Sequence, residues 1–423
     1  MQFSWRERRD RASRLWLYGL FFLLPALAVF GHRGVAPWLL LASLPAFLRG
    51  DFWQAALGKL LDHPSLKDPL FAGFVALLFF CFWIFLSGFW SPKHHYSLFL
   101  WVLAPALVAG SVVWFSLNLS REWAWRLGRA FSLAIAGGMI ILAIEGASGG
   151  YLRDILPPKD ASPGGARDII SLGRGVTALA PALFPAAAIA VRIWSRGAAA
   201  GILAIGVTAA FMNDVSANIV AIGAGLIAAL LALEYRRFML RLAGCGAIAA
   251  LLLFPVFAAL APVDAIYVTA SETLSDRQLA GASSSLHRLA IWHASSVEAF
   301  KGLPFGFGAD YARIWNETAP MISVPGSAAP LSVIPNHPHN LFIQIWLELG
   351  VQGVAALALF IFFGMKSLLR ASMSKAVGAA ILGAFAAVLI SITVEGSLWQ
   401  VWRLAAMGLA AGGIALAHRL EKR

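Results

Sequence analysis

Apolar runs of about 20 residues, each closed by a short polar or basic stretch, recur from one end of the chain to the other. A helix of that length crosses a hydrocarbon core of roughly 30 Å. The pattern predicts twelve spans, at 15–31, 35–48, 69–90, 98–119, 130–148, 177–194, 198–213, 217–234, 242–261, 340–365, 376–394 and 398–417. The second is short, and 198–234 is also compatible with one long broken helix. The expected fold is an all-α polytopic membrane protein. Spans 1–9 occupy 1–261, one large loop occupies 262–339, and spans 10–12 occupy 340–423.

Composition strengthens this picture. The chain is 60% hydrophobic and 13% charged, whereas a soluble domain carries roughly 25% charged residues. Cys81 and Cys245 both lie inside apolar runs, away from any Cys-x-x-Cys or zinc spacing, so they read as small buried side chains. No cleavable signal is expected, because the first span runs into Pro37 and Trp38 without a small-residue cleavage pattern.

The net charge of +12 suggests nucleic acid until its distribution is drawn. Arg6, Arg8, Arg9, Arg11 and Arg14 precede span 1. Every second connection is then basic: Arg49/Lys59/Lys67, Arg121/Arg126/Arg129, Arg192/Arg196, Arg236/Arg237/Arg241, Lys366/Arg370/Lys375 and Arg419/Lys422/Arg423. The short opposite turns hold Arg33 and Lys93. Positive residues favour the cytoplasmic side, so both termini are expected there, and much of the charge is a topology signal with some attraction to membrane lipids.

Two connections on the other side break this rule. Residues 149–176 carry Arg153, Lys159, Arg167 and Arg174, and 262–339 carry Arg277, Arg288, Lys301 and Arg313. Positive charge has no topological use there and suits an anionic ligand. A loop as long as 262–339 is usually functional. Within it, Ser284 to Gly302 predicts an amphipathic helix with Leu286, Leu289, Trp292/His293, Val297 and Phe300 on one face, capped by Ser283, Ser284 or Ser285 and able to roof a cavity at the membrane interface.

The chemistry concentrates at Pro335-Asn-His337-Pro-His339-Asn340, which runs directly into span 10. The prolines bias Asn336 and His337 towards extended backbone, and Asn340 can cap the helix. A helix N-terminus favours an anion and disfavours imidazolium, leaving a neutral histidine suited to general-base work. Asn340, Gln344, Glu348 and Gln352 follow at i+4 spacing as one polar stripe. Glu348, about 12 Å along the helix, leans towards function, and Gln352 towards helix–helix hydrogen bonding. Gly350 and Gly353 share a face that permits close packing. No metal or other cofactor is expected, because the two histidines lack a third ligand and no DxD-like cluster exists. No phosphate-binding GxxxxGK[ST] loop is present, so neither is a nucleotide.

The arrangement His339-Asn340 followed by Gly350-x-x-Gly353, with Arg288-Leu-Ala-Ile-Trp292 and Pro304-Phe-Gly306-Phe-Gly308 upstream, resembles the bacterial O-antigen ligase and polymerase superfamily. The resemblance implies a GT-C-like glycosyltransferase architecture in the inner membrane, with the 262–339 loop and active site in the periplasm. It implies transfer of O-antigen polysaccharide from undecaprenyl pyrophosphate to lipid A-core oligosaccharide. His339 or His337 would be the base, Arg288 would bind pyrophosphate, and Asn340 and Glu348 would assist substrate binding. Many members carry a Ser-Arg pair after the seventh span. Here Asn213-Asp-Val-Ser-Ala-Asn218 stands instead, so that arginine's role falls to Arg153, Arg167 or Arg174. An O-antigen polymerase is the nearest alternative, with a polysaccharide or lipid transporter further off, since internal repeats are absent.

Overall fold

The computed structural model describes residues 5–61, 65–157, 166–213 and 215–422, with backbone alone at 5–10, 56–57, 59–61 and 166–169. The first helices are α1 Trp5–Phe30, α2 Val35–Phe47, α3 Gly50–Leu61, α4 Pro69–Ser87, α5 Leu100–Leu117 and α6 Arg121–Ser148. The middle of the chain forms α7 Tyr151–Ile155, α8 Ala166–Ile193, α9 Arg196–Met212 and α10 Ser216–Ala259. The long connection folds as α11 Val263–Thr273, α12 Asp276–Lys301 and α13 Tyr311–Thr318, with a two-stranded ladder of β1 Met321–Ile322 and β2 Leu331–Ser332. The chain ends in α14 Leu341–Arg370, α15 Lys375–Val394 and α16 Val401–Glu421.

Among the described residues, nine helices are long and apolar enough to cross a membrane, and α9 is a shorter apolar helix of 17 residues. The protein is a multi-pass, all-α membrane protein. Predicted and observed boundaries differ where polar residues interrupt the hydropathy. Helix α6 starts at Arg121 and α8 at Ala166, so Arg174 belongs to a helix and not to the expected 149–176 loop. Helix α8 carries the half-buried Arg174 among α1, α6, α9, α15 and α16, inside the bundle, where an ionisable group in a span normally lies. The side chains of Arg6, Arg8, Arg9, His63, Lys159, Arg167 and Asp214 lie outside the described residues.

Over 198–234, which the sequence left open, α9 and α10 are separate helices. Helix α10 separates from α9 at Asn213, and it is itself two helices joined at Tyr235, whose backbone (φ −112°, ψ 37°) is not helical. The first half packs along α15, with Gly225 against Gly383. The second half packs along α14, where Trp346 Nε1 donates to the Leu251 carbonyl at 2.8 Å. The facing ends of α14 and α15 are tied by Asn340 Nδ2 donating to the Thr393 carbonyl at 2.9 Å. The chain therefore runs out along one member of this antiparallel pair and back along the other. Arg236 at the turn donates to the Met373 carbonyl in the turn between α14 and α15.

Helices α8 and α16 are the most enclosed. Gly408, Gly412 and Gly413 of α16 sit where Leu39, Val112 and Phe131 press in, so small residues let the backbones approach. With no hydrophobic driving force between helices in lipid, such close packing is what holds a bundle together.

Candidate active site

One backbone device fixes the site's floor. Gly350 interrupts α14 with φ 60° and ψ −156°, a region that glycine alone occupies. The segment Pro304–Gly308 inserts at this break. Val351 N donates to the Pro304 carbonyl, Phe307 N to the Leu347 carbonyl and Gly308 N to the Glu348 carbonyl, each at 2.9 Å. The carbonyls that the break frees from helical bonding thereby gain partners, as buried backbone groups must. Trp83 Nε1 also donates to the Leu349 carbonyl at 2.7 Å. Gly350 is thus a helix break, not a helix-packing surface, and the expected regular stripe through Gln352 ends there.

The remaining stripe anchors the helix above the break. Asn340 caps α14, accepting from Phe342 N and Ile343 N. Gln344 Nε2 donates to Glu348 Oε1, and its Oε1 accepts from Leu398 N. Glu348 is 1% exposed, and its Oε2 accepts from Asp310 N and Trp399 Nε1, both at 2.9 Å. These contacts join α14 to the 395–400 turn and to the loop beginning at Gly302.

The two histidines stand just before the cap, with ring centroids 4.3 Å apart. His339 has φ 55°, a left-handed conformation uncommon outside glycine and asparagine. That geometry turns its N–H back to donate to His337 Nδ1 at 3.1 Å. His337 Nδ1 is therefore an acceptor, and the proton of the neutral ring resides on Nε2. Burial, followed by the charge of Arg288, pulls the His339 imidazole down to about 4. His337 is likewise pulled well below the usual histidine range, by burial and then by His339. Both rings are neutral near pH 7, and His339 Nδ1 is buried without a hydrogen-bond partner.

Helix α12 brings Arg288 to this point. It starts at Asp276, with Ser275 and Gln278 forming the capping box, so the predicted start at Ser283–Ser285 is eight or more residues late. Polar positions between 276 and 284 hid the first two turns from the apolar pattern. Its buried face is Ala290, Ile291, Ser295, Ser296 and Ala299, while the expected Val297 is exposed. Small residues let α12 lie close on α10 and α14, which rotates the packed face away from the larger side chains.

Arg288 Nη2 lies 3.6 Å from Glu395 Oε1, and Glu395 Oε2 lies 3.3 Å from Arg403 Nη2. Glu395 follows α15, and Arg403 sits in the first turn of α16, 6% exposed. Neither was singled out from sequence. Arg403 carried the usable signal, an ionisable group inside an apolar span. Arg174 adds positive charge that helps to depress His337. Of the expected arginines, Arg288 brings its charge to His339, and Arg174 contributes a weaker one at His337. Arg153 is buried, and its Nη1 donates to the Val29 carbonyl at 2.8 Å. In place of the absent Ser-Arg pair, Asn213 donates to the Leu142 carbonyl of α6, and Asn218 donates to the Gly173 carbonyl of α8, next to Arg174. Two neutral imidazoles lie in the positive field of Arg288, Arg403 and Arg174, with Glu395 bridging the first two, an arrangement that can accept a proton and bind an anion.

Residues 199–358 match the family model described as O-antigen ligase. Over that segment the chain is similar to O-antigen ligase-type proteins. A protein of Rickettsia conorii named as a candidate polysaccharide ligase is 26% identical over 408 residues, 90% of this chain and 92% of its own length. A similarly named Rickettsia felis protein is 26% identical over 400 residues, with the same shares. A Rickettsia typhi relative is 30% identical over 193 residues, 45% of each chain. The family match spans Arg288, His337, His339 and Gly350, whereas Arg174, Glu395 and Arg403 lie outside it.

Proposed function

We propose that this protein is an O-antigen ligase that moves polysaccharide from undecaprenyl pyrophosphate to lipid A-core oligosaccharide. The bundle would have twelve spans, with both termini cytoplasmic and the 262–339 loop periplasmic. The observation that carries the reading is the pair of neutral histidines at the capped end of α14 beside Arg288, Glu395 and Arg403.

A pyrophosphate-linked donor is already activated, so the enzyme must supply a base and charge stabilisation. The acceptor hydroxyl attacks the anomeric carbon while the bond from that carbon to the pyrophosphate oxygen breaks. The hydroxyl proton passes to His339, whose Nδ1 is unpartnered. Undecaprenyl pyrophosphate leaves with the bonding electrons, its growing charge met by Arg288, Arg403 and Arg174. One displacement inverts the anomeric configuration, and no step requires a metal. His337, with Nδ1 engaged by the His339 amide, can donate from Nε2 and orient the acceptor or the His339 ring.

Purified His339→Ala protein given lipid-linked glycan and lipid A-core should lose at least about 100-fold in rate, the lower range for a general base. Transfer at the wild-type rate would overturn the assignment. Product formed only with a second undecaprenyl-linked chain as acceptor would make the protein a polymerase.

A further inference from the structure

Between α1 and α2, the turn His32–Gly34 packs against α8 and α16. His32 is 7% exposed, yet neither ring nitrogen has a hydrogen-bond partner. Buried polar groups are nearly always paired, and an imidazole with both nitrogens unpaired needs a ligand or water to explain it. Its surroundings narrow the choice. The ring meets Trp402 edge-on, with centroids 4.8 Å apart, and the Arg403 guanidinium lies 4.6 Å from the centre of the same indole. Trp402 therefore carries His32 and Arg403 together. Arg174, Arg33, Arg403 and Arg153 all contribute positive potential at the ring, which burial and those charges hold neutral, down to about 3. A neutral imidazole keeps one N–H donor and one acceptor.

The charges around Arg403 are unbalanced. Arg288 and Arg403 face a single carboxylate, Glu395, leaving one formal positive charge, and Arg174 adds positive potential at both His32 and Arg403. A compact polyanion with several acceptor oxygens matches that surplus, and a polyprenyl-type tail would lie against the surrounding apolar helices.

We propose that His32 is a substrate-binding residue that donates a hydrogen bond to a phosphate oxygen of a diphosphate held between Arg174 and Arg403. This deepens the donor site in the proposed function and rests on that reading.

The test uses full-length protein in nanodiscs and inorganic pyrophosphate as probe. His32→Phe preserves the packing on Trp402 and removes both nitrogens, and should weaken pyrophosphate binding about 10-fold or more, the loss expected for a hydrogen bond to a charged group. His32→Gln, which keeps a donor, should recover most of that loss. Donor KM should rise in the Phe variant with kcat little changed. Pyrophosphate binding within twofold of wild type in the Phe variant, or no binding to wild type, overturns the proposal. So does displacement of the probe by phosphatidylglycerol at equal concentration, which would make this a phospholipid headgroup site. If the Phe variant does not fold, the imidazole nitrogen resonances of wild-type His32, assigned with the Gln variant, must shift on adding pyrophosphate; unmoved resonances sink the idea. His339→Ala measured in parallel separates the two readings. Transfer lost there with His32→Phe unaffected overturns only the His32 site, whereas transfer retained in His339→Ala overturns the base assignment.

Discussion

At the scale of single residues, proton affinity decides what the site can do. His339 titrates near 4 because burial and Arg288 oppose its cationic form more strongly than Glu395 favours it. The free enzyme's kcat/KM should therefore stay level from pH 8 to about 5 and fall below that as the ring protonates. An acid limb centred at 6.5 would instead mean a solvated histidine and a different base. The same depression affects stability. A ring whose folded value lies below its unfolded value contributes stability fully above about 6.5, and that contribution declines as pH drops towards the folded value. His32, His337 and His339 all act in this direction, so acid unfolding should begin as the pH passes below 6.5. Arg288→Lys should fold normally and lose transfer by at least about 10-fold, because one ammonium cannot reproduce a bidentate fork. Full activity there would reduce Arg288 to a partner for Glu395.

At the scale of elements, the site depends on a loop wedged into a broken helix. Gly306 has φ 75°, and a Cβ there would come within 2.6 Å of the Glu348 carbonyl carbon. Gly306→Ala should thus cost about 1–3 kcal/mol, from left-handed backbone and overpacking together, read as a lower unfolding midpoint in detergent. Glu348→Gln should cost a similar amount of stability. It would replace one acceptor oxygen with an amide N–H₂, facing either the Gln344 donor or the Asp310 and Trp399 donors, which need an acceptor. A variant as stable as wild type would show that the carboxylate is not what joins α14 to the 395–400 turn. Prolines and a capping residue mark His337, His339 and Asn340 locally in the sequence, whereas Arg288 comes forward only through the family resemblance. The sequence did not reveal the break at Gly350, since a helix of 3.6-residue period and a helix interrupted by one glycine share nearly the same polar spacing. Glu395 stayed hidden for another reason. Its meaning comes from the end of α15 meeting the start of α14 and the first turn of α16, which no local pattern encodes. Arg403, in contrast, was visible as an ionisable group inside an apolar span.

At the scale of the whole molecule, the broken α10 determines how many times the chain crosses. Counting it as one helix leaves the basic residues Arg236, Arg237 and Arg241 in the middle of a span, where charge is costly. Counting it as a hairpin turning at Tyr235 places them beside Lys375 and the α14–α15 turn, with Lys375 Nζ 3.1 Å from Glu234 Oε2. The basic turns then all lie at one end of the bundle, and His337, His339, Arg288 and Glu395 lie at the other, as the distribution of positive charge requires. This arrangement is testable with single cysteines in a background lacking Cys81 and Cys245. A cysteine replacing Tyr235, which is 63% exposed, should react with a membrane-impermeant maleimide only in inverted vesicles. A cysteine replacing Ser327, in the turn between β1 and β2, should react only in right-side-out preparations. Labelling of both positions from one side would mean that α10 traverses the membrane without reversing. The histidines and the basic turns could not then be segregated to opposite faces, and the proposed donor and acceptor would have no common aqueous side on which to meet.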